Sequence, residues 1–167
     1  MRKTPASPTP KAVKTTKAAV LEDQPGYCIR RLQQIAVAIF LDQTAAHGIT
    51  PVQYAALYAA QREPGLDQRT LAATIGFDTS TIGGVIDRLE KRGLILRNAA
   101  PHDRRLRLLT VTEEGERLLE QALPRVRAAQ QRILAPLAQA EQQDFLQQMQ
   151  RVVEAHHDHV QGERDGD

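Results

Sequence analysis

Residues 68–112 read QRTLAATIGFDTSTIGGVIDRLEKRGLILRNAAPHDRRLRLLTVT, and the spacing of these side chains decides the architecture. Leu71, Ile75, Ile82 and Val85 are apolar at helical intervals on either side of Gly76. Ala72 is small where two helices have to cross closely. Gly76 stands where the chain turns, and glycine accepts positive φ there without a Cβ clash. Phe77 is placed to plug the angle between the helices, and Asp78 to cap the second one. A turn this short sets two helices at a steep angle. The second helix is expected to begin near Thr79. Thr79, Ser80 and Thr81 lead it, Gly83 and Gly84 face outward, Arg88 follows and Gly93 closes it. Small residues at a helix N-terminus let the backbone approach phosphates and base edges.

A hairpin pattern comes next. Leu94, Ile95 and Leu96 read as a strand, and Asn98-Ala99-Ala100-Pro101-His102-Asp103 as its tip. Arg105, Arg107 and Leu109 then alternate with Leu106, Leu108 and Thr110, which is strand period. Arg104 and Arg105 stand at the tip, where such a hairpin reaches an adjacent minor groove. Helix, sharp turn, helix and basic hairpin make a winged helix-turn-helix, a shape suited to duplex DNA. Charge agrees with it. Residues 68–107 carry eight basic and four acidic side chains, a balance of +4, whereas the whole chain is only +2. Residues 108–167 carry six basic and eleven acidic side chains, a balance of −5. A local positive field on a near-neutral chain suits a phosphate backbone.

These residues resemble the DNA-binding core of the MarR family of bacterial transcriptional regulators. Asp103-Arg104-Arg105, followed by Val111-Thr112-Glu113-Glu114-Gly115, matches the family's D-R-R and L-T-x-x-G pattern, with Val111 in place of the usual leucine. Asp87-Arg88-Leu89-Glu90 and Gly93-Leu94 match the end of its recognition helix. The resemblance runs from about Gly26 to His156, and its motifs are specific as a set rather than singly. It implies major-groove contacts from Thr79, Ser80, Thr81, Gly84 and Arg88. It also implies wing contacts from Arg104 and Arg105, oriented by Asp103. Gly83 and Gly84 depart from the pattern, because many members carry arginine or another polar side chain in that stretch.

The rest of the chain reads as a mainly α fold around this head. Residues 1–24 form a flexible basic arm whose Lys11, Lys14 and Lys17 can add non-specific DNA affinity. Residues 25–160 form the domain, with 68–112 as helix-turn-helix and wing, and 161–167 are a disordered tail. A first helix is expected over residues 26–47, ended by Gly48. Thr50-Pro51-Val52-Gln53 opens the next with a capping box, and Asp67 caps the one entering the turn. After Thr112 a long helix passes Leu118, Leu119 and Leu123, with Pro124 bending it and a break near Pro136. The last helix holds Phe145, Leu146, Met149 and Val153. Residues 25–47 and 113–160 serve as dimerisation helices, because a single copy would leave their apolar faces wet. A two-fold dimer implies a pseudo-palindromic operator.

The resemblance also bears on what is sensed. Gly26-Tyr27-Cys28-Ile29-Arg30-Arg31-Leu32 and Thr50-Pro51-Val52-Gln53-Tyr54 are similar to members that control aromatic-acid catabolism. A small aromatic carboxylate, hydroxybenzoate- or hydroxynicotinate-like, needs a flat slot and a cation. Tyr27, Tyr54 and Tyr58 can supply the first and Arg31 the second. Arg30 and Arg31 pairing at a dimer surface, with the tyrosines in the core, is the plainer alternative. Cys28 is the rival sensor, since peroxide-sensing members carry a reactive cysteine early in the first helix. His156, His157 and His159 sit at an acidic end without a thiol and read as a solvated terminus, so no metal is assigned. No cofactor is expected, and no phosphate loop or nucleophile elbow marks an enzyme. With no secretory leader, disulfide framework or membrane span in the pattern, the cytoplasm is the expected home. A winged helix that binds protein and never DNA is the reading from another class. It calls for a neutral or acidic face, which Arg104, Arg105 and Arg107 oppose.

Overall fold

The computed structural model describes residues 20–102 and 106–156. It contains α1 (Pro25–Gln43), α2 (Pro51–Arg62), α3 (Gln68–Thr74), α4 (Thr79–Lys91), β1 (Ile95–Ala99), β2 (Arg107–Val111), α5 (Glu113–Leu134) and α6 (Gln139–Ala155). The chain divides into two units within α1, one up to Gln33 and one from Gln34 onward. In the first, a 3-10 turn at Leu21–Asp23 precedes α1, whose early residues are exposed except for the half-buried Tyr27 and Leu32.

The second unit holds the core. Phe40, Ile49, Leu57, Leu71, Ile82, Ile86, Leu89, Ile95, Leu109, Leu119 and Val126 are its larger buried members. They come from α1, α2, α3, α4, both strands and α5, so the helix-turn-helix is built on the same core as its supports. Each fully buried Ile or Leu contributes roughly 1.5–3 kcal/mol. That exceeds the cost of the two glycines in α4, about 1 kcal/mol each. The apolar face of Ile82, Val85, Ile86 and Leu89, and not the intrinsic propensity of its first turns, therefore holds α4.

Several boundaries differ from the sequence-based expectation. The first helix stops at Gln43 rather than His47. The buried Thr44 turns its hydroxyl back on the Phe40 carbonyl at 2.8 Å, residues 45–47 tighten into a 3-10 turn, and Gly48 adopts φ 58°. Asn98 and Ala99 belong to β1, not to the hairpin tip, because they pair with Leu108 and Arg107. Asn98 Nδ2 also donates to Thr110 Oγ1 across the strands. Leu94 precedes the strand and is buried. Phe77 does not plug the inter-helix angle; it is 37% exposed, and its N–H donates to the Ala72 carbonyl. Helix α5 continues through Pro124 to Leu134. The break near Pro136 and the caps at Thr50, Asp67 and Asp78 fall where the pattern placed them.

One pairing had no sequence signal. Asp67 makes an antiparallel bridge with Leu108, and the Leu109 N–H donates to the Leu66 carbonyl at 2.8 Å. The linker into α3 thus lies along β2 as a third short edge. This ties the middle of β2 to the helix-turn-helix.

Candidate nucleic-acid interface

Helix α4 is positioned from both ends and from behind. At its start, the Asp78 carboxylate accepts from the Thr81 N–H at 2.7 Å and from the Ser80 hydroxyl at 2.6 Å. The Ser80 hydroxyl first, then Thr81, holds the Asp78 carboxyl well below the usual carboxylate range. Ser80 has one hydroxyl proton, and it is engaged with Asp78; its lone pairs remain available to accept. Gln68 Nε2 donates to the Thr79 carbonyl at 3.0 Å, clasping the head of α3 to the head of α4. Gly83 makes room for this clasp. A Cβ there would stand 3.0 Å from Gln68 Nε2.

At the other end, Arg92 caps α4 and donates to the carbonyls of Gly48 and His47, at 2.7 and 3.2 Å. Behind α4, Arg97 of β1 pairs with both Asp87 and Glu90. Partial burial works against the Arg97 charge, but the hydrogen bonds with Asp87 and Glu90 outweigh it and raise its pKa. Arg92 and Arg97 therefore brace the head in addition to contributing to its charge. Asp87 and Glu90 lie on α4 at a spacing of three, seven and ten residues before Arg97, a signal the sequence did contain.

Outward on α4 are Thr79, Ser80 and Thr81 at its start and Asp87, Arg88 and Lys91 further along, all exposed. Gly83 and Gly84 are half-buried rather than outward. The Arg88 guanidinium lies back along the helix, 3.7 Å from where a Gly84 side chain would begin. Asp103, Arg104 and Arg105 lie outside the described residues, as do the basic arm of 1–19 and His157 and His159. His102 and Arg107, on either side of that tip, are exposed.

The T-x-x-G motif has a structural reason. The Thr112 hydroxyl donates to the Gly93 carbonyl at 2.7 Å and accepts from the Gly115 N–H at 3.1 Å. A side chain at Gly115 would start 2.3 Å from the Leu94 carbonyl oxygen and 2.7 Å from Val111 Cγ1. Only glycine lets α5 start against the exit of α4.

The sequence-based ligand residues divide between the units. In the first, Arg31 is exposed, Tyr27 has the Arg30 guanidinium 5.2 Å over its ring, and the exposed Cys28 Sγ lies 3.2 Å from the Glu22 carbonyl as a donor. In the second, Tyr54 and Tyr58 stack with centroids 6.1 Å apart and planes 12° from parallel. Phe40 tilts against Tyr54 at 6.0 Å. Burial, then Tyr58, pushes the Tyr54 phenol up, and the Arg127 charge acts the other way. Arg127, an exposed cation of α5 acting on this aromatic row, had no signal in the sequence. Among the described residues no group of histidines, cysteines and carboxylates can hold a metal ion. Nor is any described helix long and apolar enough to cross a membrane.

A model of the MarR family matches residues 47–106, from the linker before α2 to just short of β2. The putative transcriptional regulatory protein for the hcr operon of Thauera aromatica is 34% identical over 128 residues, 76% of this chain and 77% of that protein. The chain belongs to the MarR family. It is a transcriptional regulator and not an enzyme. PcaV of Streptomyces coelicolor, solved with its natural ligand, is 40% identical to this MarR-family chain. That likeness covers 83% of this chain and 97% of PcaV, with a TM-score of 0.75. BpsR of Bordetella bronchiseptica, whose DNA binding is regulated by 6-hydroxynicotinic acid, is 28% identical. It covers 78% of this chain and 94% of its own, with a TM-score of 0.74. The mainly helical fold with a two-stranded wing is thus that of the MarR regulators.

Proposed function

We propose that this regulator is a cytoplasmic repressor that grips an inverted-repeat duplex operator as a homodimer and leaves it when a small aromatic carboxylic acid binds. One observation carries the DNA reading. The buried face of α4 leaves Thr79, Ser80, Thr81 and Arg88 exposed together. Short hydroxyls at the leading end suit base edges in the major groove, Gly84 permits close backbone approach, and Arg88 suits a phosphate or a guanine edge. Arg104 and Arg105 are proposed to follow the adjacent minor groove, with Asp103 orienting them. The dimer reading is supported by exposed apolar residues: Ile35, Val37 and Leu41 on α1, and Leu146, Val152 and Val153 on α6. Residues 25–47 and 113–160 are assigned to it, and a two-fold axis then sets two α4 helices roughly 34 Å apart.

The stacked pair Tyr54 and Tyr58 supports an aromatic effector, since a flat ring gains most against a flat wall. BpsR, regulated by a hydroxylated aromatic acid, supports the same class. Tyr27 and Arg31, in the first unit, are proposed as ligand residues on their residue types alone and are tested by substitution. Arg31→Ala should spare DNA binding and blunt release by the acid; normal release would exclude Arg31 as the carboxylate anchor.

The deciding experiment titrates the protein onto DNA from beside its own gene, alone, with 4-hydroxybenzoate, with 6-hydroxynicotinate and with an organic hydroperoxide. Release by an acid, retained in Cys28→Ser, is expected. Release by peroxide alone, lost in Cys28→Ser, would make the protein a thiol switch. Absence of binding at low salt would point instead to a protein-binding winged helix. Arg104→Ala should weaken binding to every sequence and reduce the salt slope by about one.

A further inference from the structure

We infer that Arg92 is the positioning residue that couples the effector slot to α4, an inference that rests on the aromatic-effector reading above. The geometry has a short linker, residues 44–50, held from two sides. On one side stands the aromatic row. Phe40 is in the last turn of α1 and Tyr54 is in the first turn of α2, so the two rings in contact at 6.0 Å flank the linker at both of its ends. On the other side stands α4. Its C-cap, Arg92, places one guanidinium nitrogen 2.7 Å from the Gly48 carbonyl and the other 3.2 Å from that of His47.

The linker is stiff enough to pass a displacement from one side to the other. Thr44 is buried, and its hydroxyl lies 2.8 Å from the Phe40 carbonyl and 3.3 Å from that of Ile49. With one proton, it bonds strongly to Phe40 and stays within reach of Ile49. Ile49 is buried in the core, and Thr50 and Gln53 lock the start of α2 reciprocally. Gly48 takes φ 58°, so its carbonyl is aimed by a backbone conformation that other residues rarely adopt. A planar guanidinium gripping two successive carbonyls constrains direction as well as distance, which a lysine ammonium cannot reproduce.

A ring that inserts beside Tyr54, between it and Phe40 or Tyr58, shifts Tyr54, Phe40 or both, because the three rings already form one row. The shift moves the linker ends, and through Arg92 it turns the C-terminus of α4 while Asp78 and Gln68 hold its N-terminus. A change in the angle of α4 alters its fit to the groove. The coupling is a differential affinity of DNA for two positions of one helix.

The test compares wild type, Arg92→Ala and Arg92→Lys, each as the full chain, with 4-hydroxybenzoate and 6-hydroxynicotinate as probes. Two quantities are measured: the affinity of DNA-free protein for the probe, and the ratio of DNA affinities without and with saturating probe. Wild type should show a ratio within the usual range of about 5–150. Both variants should keep probe affinity within about twofold, yet their ratio should fall below about 3. A purely structural loss would lower probe binding and DNA binding together and would overturn the inference. So would a wild-type ratio in both variants. Arg92→Lys keeps the stem and charge, so it remains informative if Arg92→Ala does not fold. If neither probe releases wild type, the effector reading itself fails and the relay falls with it, a result distinct from variants that release normally.

Discussion

At the scale of single residues, glycines and caps decide more than charges do. Gly115 stands where a Cβ would meet the Leu94 carbonyl oxygen at 2.3 Å, a contact backbone cannot relieve without moving α5. Overpacking of this kind costs typically 1–3 kcal/mol. Gly115→Ala is expected to lower the melting temperature by several degrees; an unchanged transition would show that α5 slides without cost. Gly83 was read as a surface residue and is a packing residue, since it admits the Gln68 side chain to the Thr79 carbonyl. Ser80, read as a DNA contact, also serves the cap of its own helix. Its hydroxyl is directed toward Asp78, a detail that spacing along the chain does not encode.

At the scale of elements, the wing is tied to α4 because Arg97 joins β1 to Asp87 and Glu90. An exposed ion pair is worth about 0–1 kcal/mol, but a partly buried arginine shared by two carboxylates resists separation more. Arg97→Gln should leave the helical content intact and reduce DNA affinity at least several-fold. If circular dichroism and DNA binding are both unchanged, the wing docks by the core residues Ile95 and Leu109 alone. A charge balance along the chain includes Asp87 and Glu90 but does not say which arginine they hold. Arg92 and Arg97 contribute charge, yet each is held by a carbonyl or a carboxylate of the protein itself. The hairpin shows a second limit of pattern reading. Asn98 and Ala99 look like turn residues by type, but the partners Leu108 and Arg107 draw them into the ladder.

At the scale of the whole molecule, the proposed dimer follows from apolar area left exposed at the chain's two ends. Among the described residues, no member of α6 is buried, although Leu146, Val152 and Val153 lie along it. Val152→Asp together with Val153→Asp should shift the protein toward monomer in sedimentation and abolish cooperative binding to a two-half-site operator. A dimer of wild-type stability in that variant would place the interface elsewhere. DNA affinity of the wild type should fall steeply with salt, because phosphate contacts release counterions.

The helix-turn-helix with its caps at Asp67 and Asp78, the cap of α2 at Thr50 and the turn at Gly76 were legible in the sequence, because each is a local event. Apolar period, a capping oxygen and a glycine act within a few residues of where they stand. The family motifs were legible for the same reason. What only the tertiary structure decided are the contacts that close large loops. These include Arg92 onto His47 and Gly48, the Asp67–Leu108 bridge, and Phe40 against Tyr54. A side chain's partner across a fold depends on the register and packing of whole elements, and the chain order of its residues does not carry that information.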